Sequence, residues 1–369
     1  MRDEEIKTTQ GGANVDFHTH SNYSMDGTKS IKQIIKRAHK NNTTMLGVTD
    51  HNSIIGVNHF LDKNGTGRDT VFDAVNGKTL LCPGVEITAR IDCVKNIKGR
   101  PSKIHLVAYG IDRNDDSPIS KLLKIKHIND KHVDHGFITQ LGNHFSLSIT
   151  DFDILQYNIY CQRNNHKIDG FGKQETIDFA KFMNYDLTQT DEELRAILDN
   201  FASIDRLNLE AKDVIDLVHA SGGIVLLAHP HLNLRRTHHP QDIIKYLIEN
   251  EIDGFELYYP QSTRESDIYL RKICKENNIT LFSAGSDYHG EDSFCEEIHF
   301  EPIKTNKVQA FIDYLQNMNE SRNKGDLIIK NYKHLHNDVN INEILDKYRR
   351  TFCTYEHLNK NTPYQEIWE

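Results

Sequence analysis

Residues 13–52, ANVDFHTHSNYSMDGTKSIKQIIKRAHKNNTTMLGVTDHN, decide the fold class, because they contain a strand, a helix and a second strand joined by short links. ANVDF (13–17) and MLGVT (45–49) are short apolar runs of the kind found in buried strands. Between them, IKQIIKRAHKNN has apolar residues at helical spacing and begins after Ser30, which suits a helix start. A strand, a helix and a strand linked in this way indicate a parallel sheet.

The same alternation continues on both sides of a long helical stretch. Two further strands are predicted at residues 79–87 and 104–111. After residue 205 the predicted order is helix, strand (IVLLAHP), helix, strand (IDGFELYY), helix and strand (ITLFSAGSDYHG). About seven strands split by an insertion favour a barrel-like α/β fold over an open sheet, and no Gly-rich dinucleotide loop or Walker sequence follows any strand.

This pattern predicts four parts of the chain. They are residues 13–115 as the first part of the barrel, 116–205 as a helical insertion or cap, 206–300 as the second part of the barrel, and 301–369 as a C-terminal extension of unknown role.

The composition excludes several classes of protein. The net charge of −9 argues against a protein that coats nucleic acid through a basic face. No apolar run approaches the roughly 20 residues of a membrane helix, and the acidic start MRDEEIKTTQ is unlike a secretory signal. The six cysteines are scattered without a CxxC pair, which is typical of reduced thiols. We therefore expect a cytoplasmic protein without membrane association, and the sequence indicates no protein partner.

Residues that can bind metal ions stand at the predicted strand ends. They are His18, His20 and Asp26 after the first strand, Asp50 and His51 after the second, Glu86 at the end of the third, His105 in the fourth, His229 after IVLLA, and Asp287 and His289 after the last strand. In a barrel the C-terminal ends of parallel strands meet on one face, so these side chains are expected to converge. Histidine and carboxylate ligands suit Zn, Mn and Fe, and so large a set suits two or three ions.

Six stretches resemble the PHP (polymerase and histidinol phosphatase) family of metal-dependent phosphoesterases. In the family's order, they are DFHTHSNYSMDG (16–27), LGVTDHNSIIG (46–56), PGVEIT (83–88), HLVAYGID (105–112), LLAHPH (226–231) and SAGSDYHG (283–290). The likeness is closest to the stand-alone bacterial branch, whose members act on nucleotide phosphates and short RNA ends. It implies a distorted (β/α)7 TIM-like barrel of the PHP type with a helical insertion, and a trinuclear metal centre.

The resemblance also implies the roles of individual residues. The metal ligands would be His18, His20, Asp26, His51, Glu86, His105, His229, Asp287 and His289. Glu86 would bridge two ions, and Asp287 is the candidate catalytic residue beside a metal-activated hydroxide. Asp16 and Asp50 are placed in sequence to orient ligands.

Two features depart from the family pattern. Asp26 follows His20 by six residues, where the branch commonly has five. Where members often carry an Arg-Pro-His that contacts the substrate phosphate, this chain has GFGKQETIDFAKFM (170–183), with Lys173 at the Arg position. Lys173 and Arg90 are the candidate substrate-binding residues, and a solvated surface position is the alternative for both.

The predicted function is hydrolysis of a phosphate ester of a nucleotide, an oligonucleotide end or a small metabolite. Histidinol phosphate is an alternative substrate. A metal-dependent C–N hydrolase is a second alternative, although such enzymes commonly use a carboxylated lysine where this chain has Glu86. A regulatory module with structural metals is a third, against which the complete ligand set argues.

Overall fold

The computed structural model describes residues 13–24, 26–65, 67–68, 70–75, 79–134, 136–163, 172–185, 187–200, 207–290, 303–305, 308–323 and 339–356. The chain divides into two compact units. The first, here named the barrel unit, comprises Met1–Lys124 and Asn208–Asp346, and the second, the helical unit, comprises Ile125–Leu207 and Lys347–Glu369. The predicted domain boundaries at residues 116, 206 and 301 stay a prediction.

All strands of the described residues belong to the barrel unit. They are β1 (Ala13–Asp16), β2 (Met45–Val48), β3 (Asp73–Val75), β4 (Thr79–Lys95), β5 (Pro101–Tyr109), β6 (Leu209–Glu210), β7 (Ile224–Leu227), β8 (Gly254–Tyr258), β9 (Leu281–Ala284) and β10 (Ile303–Thr305). The sheet order is β10-β1-β2-β4-β5-β7-β8-β9, and β3 and β6 each pair with β4.

Hydrogen bonds join β1 to β9 at and just beyond the ends of these two strands. The N–H of Phe17 donates to the carbonyl of Ala284 at 2.8 Å, and the N–H of His20 donates to the carbonyl of Tyr288 at 2.8 Å. The order β1, β2, β4, β5, β7, β8, β9 therefore returns to its start, and these seven of the ten described strands correspond to the seven that the sequence pattern predicted. The predicted barrel-like α/β fold class is confirmed.

One of these seven strands differs in direction from the predicted parallel sheet, and the additional strands β3 and β10 also pair antiparallel, with β4 and β1. β5 runs antiparallel to both of its neighbours, β4 and β7. The reason is the short connection at residues 96–100, where Gly99 has φ +71°, because a parallel crossover needs a dozen residues or more. The reversal leaves His105 opposite Thr88, two residues beyond Glu86 on β4.

Helices occur among the described residues of both units. In chain order they are α1 (Ile31–Lys40), α2 (Ile55–Lys63), α3 (Pro118–Asp134), α4 (Gly136–Phe145), α5 (Asp151–Arg163), α6 (Lys173–Phe182), α7 (Asp191–Asp199), α8 (Ala211–Ala220), α9 (Pro230–Leu234), α10 (Pro240–Glu249), α11 (Arg264–Glu276), α12 (Gln309–Asn323) and α13 (Ile341–Glu356). α1 begins as predicted after Ser30, whose side chain accepts from the N–H of Gln33 in a capping box. In the described part of the chain, no helix has both the length and the apolar character needed to cross a membrane.

The core of the barrel unit includes α12, which lies in the region with no predicted role. Phe311 of α12 packs edge-to-face on Phe17 and Tyr109, with ring centroids 4.9 and 5.4 Å apart. The hydroxyl of Tyr109 donates to the carbonyl of Phe17 at 2.9 Å. These buried contacts fix the end of β1 just before the first predicted ligands.

The helical unit has small apolar cores of its own. One contains Ile138, Tyr157 and Phe179, and another contains Leu141 and Leu198, all of them buried. Its described residues contain helices and no strand, in agreement with the helical patterns of its sequence.

Candidate metal centre

All nine predicted ligands lie in the barrel unit near one end of its strands. Most follow a strand, as His18 follows β1 and His229 follows β7, whereas Glu86 lies inside β4 and His105 inside β5. The buried members are His18, His20, Glu86, His229, Asp287 and His289. Asp26, His51 and His105 are half-buried.

The nine side chains converge in three overlapping groups. Within each group, one donor atom from every residue lies within 4.8 Å of the others. The first group is His20, Asp26, His51 and His289, the second is His18, Glu86, His229 and Asp287, and the third is His51, Glu86 and His105. Every predicted ligand belongs to at least one group, so the fold brings together the whole set that the sequence singled out.

Glu86 belongs to both the second and the third group. Its Oε1 is 2.9 Å from Nδ1 of His105 and 2.9 Å from Nε2 of His229. Its Oε2 is 2.7 Å from Nδ1 of His51. A carboxylate shared among histidines in this way has the arrangement needed to bridge two neighbouring cations.

A buried carboxylate that was not predicted from the sequence orients His18. Both oxygens of Glu256, inside β8, lie near Nδ1 of His18, at 3.1 and 3.2 Å. A carboxylate accepts hydrogen bonds, so Nδ1 of His18 carries a proton toward it. In the neutral ring, Nε2 then presents its lone pair to the second group.

His20 is oriented through a serine. Oγ of Ser24 donates to Asp50 at 3.2 Å and accepts the N–H of His51 at 2.8 Å. Because its single proton is directed to Asp50, Ser24 accepts from Nδ1 of His20, 3.0 Å away. Asp50 thus orients a predicted ligand indirectly, and Ser24 is a further residue that was not predicted.

These orientations produce a buried cluster of electron pairs. The Nε2 atoms of His18 and His20 lie 3.0 Å apart, and Oδ1 of Asp287 is 3.3 and 3.1 Å from them. Facing acceptors repel one another unless a proton or a cation lies between them. In the first group, Oδ1 of Asp26 is buried and has no hydrogen-bond partner among the described residues. The donor types and these facing atoms fit divalent metal ions.

The pKa values around the centre follow from burial and neighbouring charges. Burial, together with the nearby His289 and His51, lowers the pKa of His20 to about 3. Burial alone would raise the pKa of Glu86, but His105 and His51 hold the pKa of this carboxyl well below its usual range. Burial lowers the pKa of the other histidines, but neighbouring carboxylates outweigh it and raise the pKa of four of them, which are His18, His51, His229 and His289. Neutral imidazole and ionised carboxylate are the forms that bind metal ions, so these four rings would release a proton on binding.

Two predicted ligands have unusual backbone conformations that their neighbours hold. Asp287 has φ +59° and His229 has φ +24°, both in a region that non-glycine residues seldom adopt. Asp16 accepts the N–H and the hydroxyl of Ser286 at 2.9 and 2.6 Å, which ties the loop before Asp287 to β1. The predicted orienting residue Asp16 therefore acts on this loop.

The two candidate substrate-binding residues are both engaged in ion pairs. Arg90, on β4, donates from Nη2 to Asp92 at 2.9 Å. Lys173, the first residue of α6 in the helical unit, has Nζ 2.5 Å from Asp199. Their role in binding substrate stays a prediction.

Comparison with known proteins decides the family. The sequence model of the PHP domain matches residues 16–202, just over half of the chain. The chain belongs to the PHP domain family. The family and the enzyme class predicted from the sequence, a phosphoesterase that hydrolyses phosphoric ester bonds, are confirmed.

Two curated relatives align with this PHP protein over most of their own length. One is a phosphoribosyl 1,2-cyclic phosphate 1,2-diphosphodiesterase of Eggerthella lenta, 20% identical over 285 residues that cover 75% of this chain and 94% of the relative. The other is a 5'-3' exoribonuclease of Haemophilus influenzae, 22% identical over 282 residues that cover 74% of this chain and 89% of the relative.

Two solved structures share the fold of the PHP protein. A proposed metal-dependent phosphoesterase of Bifidobacterium adolescentis is 21% identical with a TM-score of 0.51, over 84% of this chain and 98% of its own. An amidohydrolase of Chromobacterium violaceum is 16% identical with a TM-score of 0.52, over 83% of this chain and 97% of its own. At these identities the likeness concerns the fold.

Proposed function

We propose that this PHP protein uses two or three divalent ions, held by the nine residues of the three groups, to hydrolyse a phosphate ester of a nucleotide or an oligonucleotide end. The observation that carries the proposal is the position of Glu86 in both the second and the third group. A shared carboxylate supports neighbouring ions, and neighbouring ions suit a phosphoryl group that has several charged oxygens. Mn, Zn and Fe all match the donor set.

The charge of the filled site supports an anionic substrate. Its three carboxylates carry about −3 and three divalent ions would add about +6, so the centre would be near +3. The whole chain has a net charge of −9. Phosphate would be attracted to the centre, whereas long nucleic acids would be repelled by the acidic remainder of the protein.

The burial of the ligands indicates where a substrate would reach the ions. The side chains of His51, His105 and Asp26 are 20, 25 and 21% exposed, whereas Glu86 is fully buried. We therefore assign the substrate-facing side to the first and third groups. The ions would supply an activated water and neutralise phosphate charge. Asp287 would keep its negative charge among the histidines that it contacts.

The named relatives support a nucleotide-like substrate. One acts on a cyclic phosphate of a phosphoribosyl group and the other degrades RNA from the 5' end. Both substrates contain a ribose joined to phosphate, so we place a nucleotide or an oligonucleotide end first. Histidinol phosphate and an amide are the alternatives, and Glu86 in place of a bridging lysine favours the phosphate ester over the amide.

A phosphate-release screen with added Mn²⁺ tests this proposal. Its substrates are a mononucleotide, a bisphosphorylated nucleotide, a short 5'-phosphorylated RNA and histidinol phosphate, and RNA shortening is followed in parallel. We expect turnover on a ribose-containing substrate that a chelator abolishes. His105→Ala should remove it, and His59→Ala, an exposed histidine of α2, should not. Turnover on histidinol phosphate alone would contradict the substrate class, and no turnover on any of them would contradict the function.

A further inference from the structure

Glu256 is a buried carboxylate in an apolar strand. It is 1% exposed, between Phe255 at 0% and Leu257 at 1%, in the β8 sequence GFELY. Removing a carboxylate from water costs several kcal/mol unless strong partners compensate for the lost hydration. A charge in this place therefore needs a specific role.

The carboxylate of Glu256 joins two residues that are distant in the sequence. Its oxygens lie 3.1 and 3.2 Å from Nδ1 of His18, which follows β1. Its Oε2 also accepts the N–H of His229, which follows β7, at 2.7 Å. One side chain thus contacts the ring of one predicted ligand and the backbone of another.

The contact with His229 acts on a residue with an unusual backbone conformation. His229 has φ +24°, and its ring places Nε2 2.9 Å from Oε1 of Glu86. Such a conformation persists only where surrounding contacts hold it. The hydrogen bond from the His229 N–H to Glu256 is one of these contacts, so Glu256 helps to aim the His229 ring at Glu86.

The space around the pair requires a glycine at position 285. A Cβ on Gly285 would lie 2.3 Å from Cβ of His18 and 2.6 Å from Oε1 of Glu256. No side chain fits there while His18 and Glu256 keep their contact. Gly285 therefore provides the close approach that this contact needs.

From these contacts we propose that Glu256 is the positioning residue of the second group. It fixes the ring of His18 and the backbone of His229, two of the four members, while remaining outside the group itself. This inference rests on the proposed function, because it assumes that the second group holds an ion. It assigns to Glu256 a selective effect on that ion, since the first group contains neither His18 nor His229.

Cobalt binding to the full chain tests the proposal. Co²⁺ is titrated into the metal-free wild type and into metal-free Glu256→Gln. Calorimetry measures the affinity for each ion, and visible spectroscopy records the absorption of the bound cobalt. Glutamine replaces one carboxylate oxygen with an NH2 group. If its remaining oxygen accepts the His229 N–H, this NH2 donor faces the Nδ1–H of His18 and weakens the contact with the ring. We expect one ion to bind 10–100-fold more weakly with an altered absorption spectrum, as outer partners of metal ligands typically produce. The other ions should keep their affinity.

Asp253, the residue just before β8, provides a matched control. Its Oδ2 accepts the N–H of Val225 at 2.8 Å and lies 2.8 Å from Nε2 of His219, so it also joins a ring to a backbone. Neither His219 nor Asp253 belongs to any of the three groups. Asp253→Asn should lower the melting temperature and leave cobalt affinity and absorption unchanged.

The outcomes separate this proposal from the proposed function. Unchanged cobalt binding in Glu256→Gln, or an equal loss in Asp253→Asn, would overturn the positioning role. A wild type that binds no cobalt would instead contradict the metal site itself. If Glu256→Gln does not fold, Glu256→Asp replaces it. Aspartate keeps the charge on a shorter side chain, and its cobalt affinity and absorption spectrum are judged in the same way.

Discussion

Glu86→Gln removes one negative charge from the residue that the second and third groups share. The carboxylate of Glu86 lies 2.7 Å from His51 and 2.9 Å from His105 and His229. Glutamine has nearly the same shape, so the barrel should keep its packing. Its uncharged amide, however, cannot bridge two cations as a carboxylate does.

The expected loss follows from the charge that is removed. At an effective dielectric constant of about 20, two unit charges about 4 Å apart interact by about 4 kcal/mol. A divalent ion would double this interaction, so about 4 kcal/mol is a lower bound. Because about 1.4 kcal/mol corresponds to a factor of ten in an equilibrium constant, the affinity for at least one ion should fall by roughly 1,000-fold or more. The effect should exceed that of Glu256→Gln, which acts from outside the groups.

Calorimetric titration with Mn²⁺ and metal content after dialysis measure this loss. Glu249→Gln is the control, because Glu249 is on α10 of the same unit, 61% exposed and paired only weakly with Lys245 at 3.7 Å. Its ion affinities should equal those of the wild type. Retention of every ion in Glu86→Gln within tenfold of the wild-type affinity would refute the assignment of Glu86 as a bridge.

Three further substitutions, two of them with a matched control, test residues to which the sequence or the structure assigns a role. Asp287→Asn should lower kcat by several orders of magnitude because it removes a ligand charge, and a change confined to KM would contradict that role. Ser24→Ala, which removes the hydroxyl between two ligand residues, should weaken metal binding about 10–100-fold. The helix-cap variant Ser30→Ala should cost about 1 kcal/mol of stability and leave metal binding unchanged; equal metal affinity in both serine variants would exclude an orienting role for Ser24. Lys173→Ala should raise KM, whereas Lys181→Ala on the same helix should not, and identical kinetics would leave Lys173 a surface ion pair.

Local sequence patterns were sufficient for most of the barrel. The helix after Ser30 and the strands that precede His18 and His229 have clear periodicity and clear ends. The reversal of β5 was not predictable from the expected strands, because residues 79–87 and 104–111 leave room between them for a crossover. The connection is short because β4 continues to Lys95 and β5 begins at Pro101. Connection length decides direction physically, since a parallel return needs room for a crossover.

The role of α12 had a signal that its polar surroundings obscured. Val308, Phe311, Ile312 and Leu315 recur at helical spacing, and all are buried in the barrel core. A local pattern cannot show what these residues pack against, because the contact of Phe311 with Phe17 joins positions almost 300 residues apart. Such packing depends on the closed sheet and not on the segment alone.

The candidate site was predictable at its proposed ligands and not at the residues that orient them. A histidine or carboxylate at a strand end is conspicuous, and all nine candidates converge. Glu256 is one of two acidic residues in IDGFELYY, where alternation is equally consistent with a solvent-facing position. Only the register of β8 against its neighbours turns it toward His18. Ser24 is a hydroxyl in a loop, for which periodicity provides no signal.

Metal content measured together with turnover tests the central claim most directly. Protein purified without chelator is analysed for its elements, and phosphate release is measured on the same sample before chelation, after chelation and after Mn²⁺ is restored. The nine converging residues predict two or three divalent ions per chain, with release that disappears and returns with the metal. A chain that binds no metal after reconstitution with Mn, Zn or Fe, or that releases phosphate equally well without it, would contradict the account.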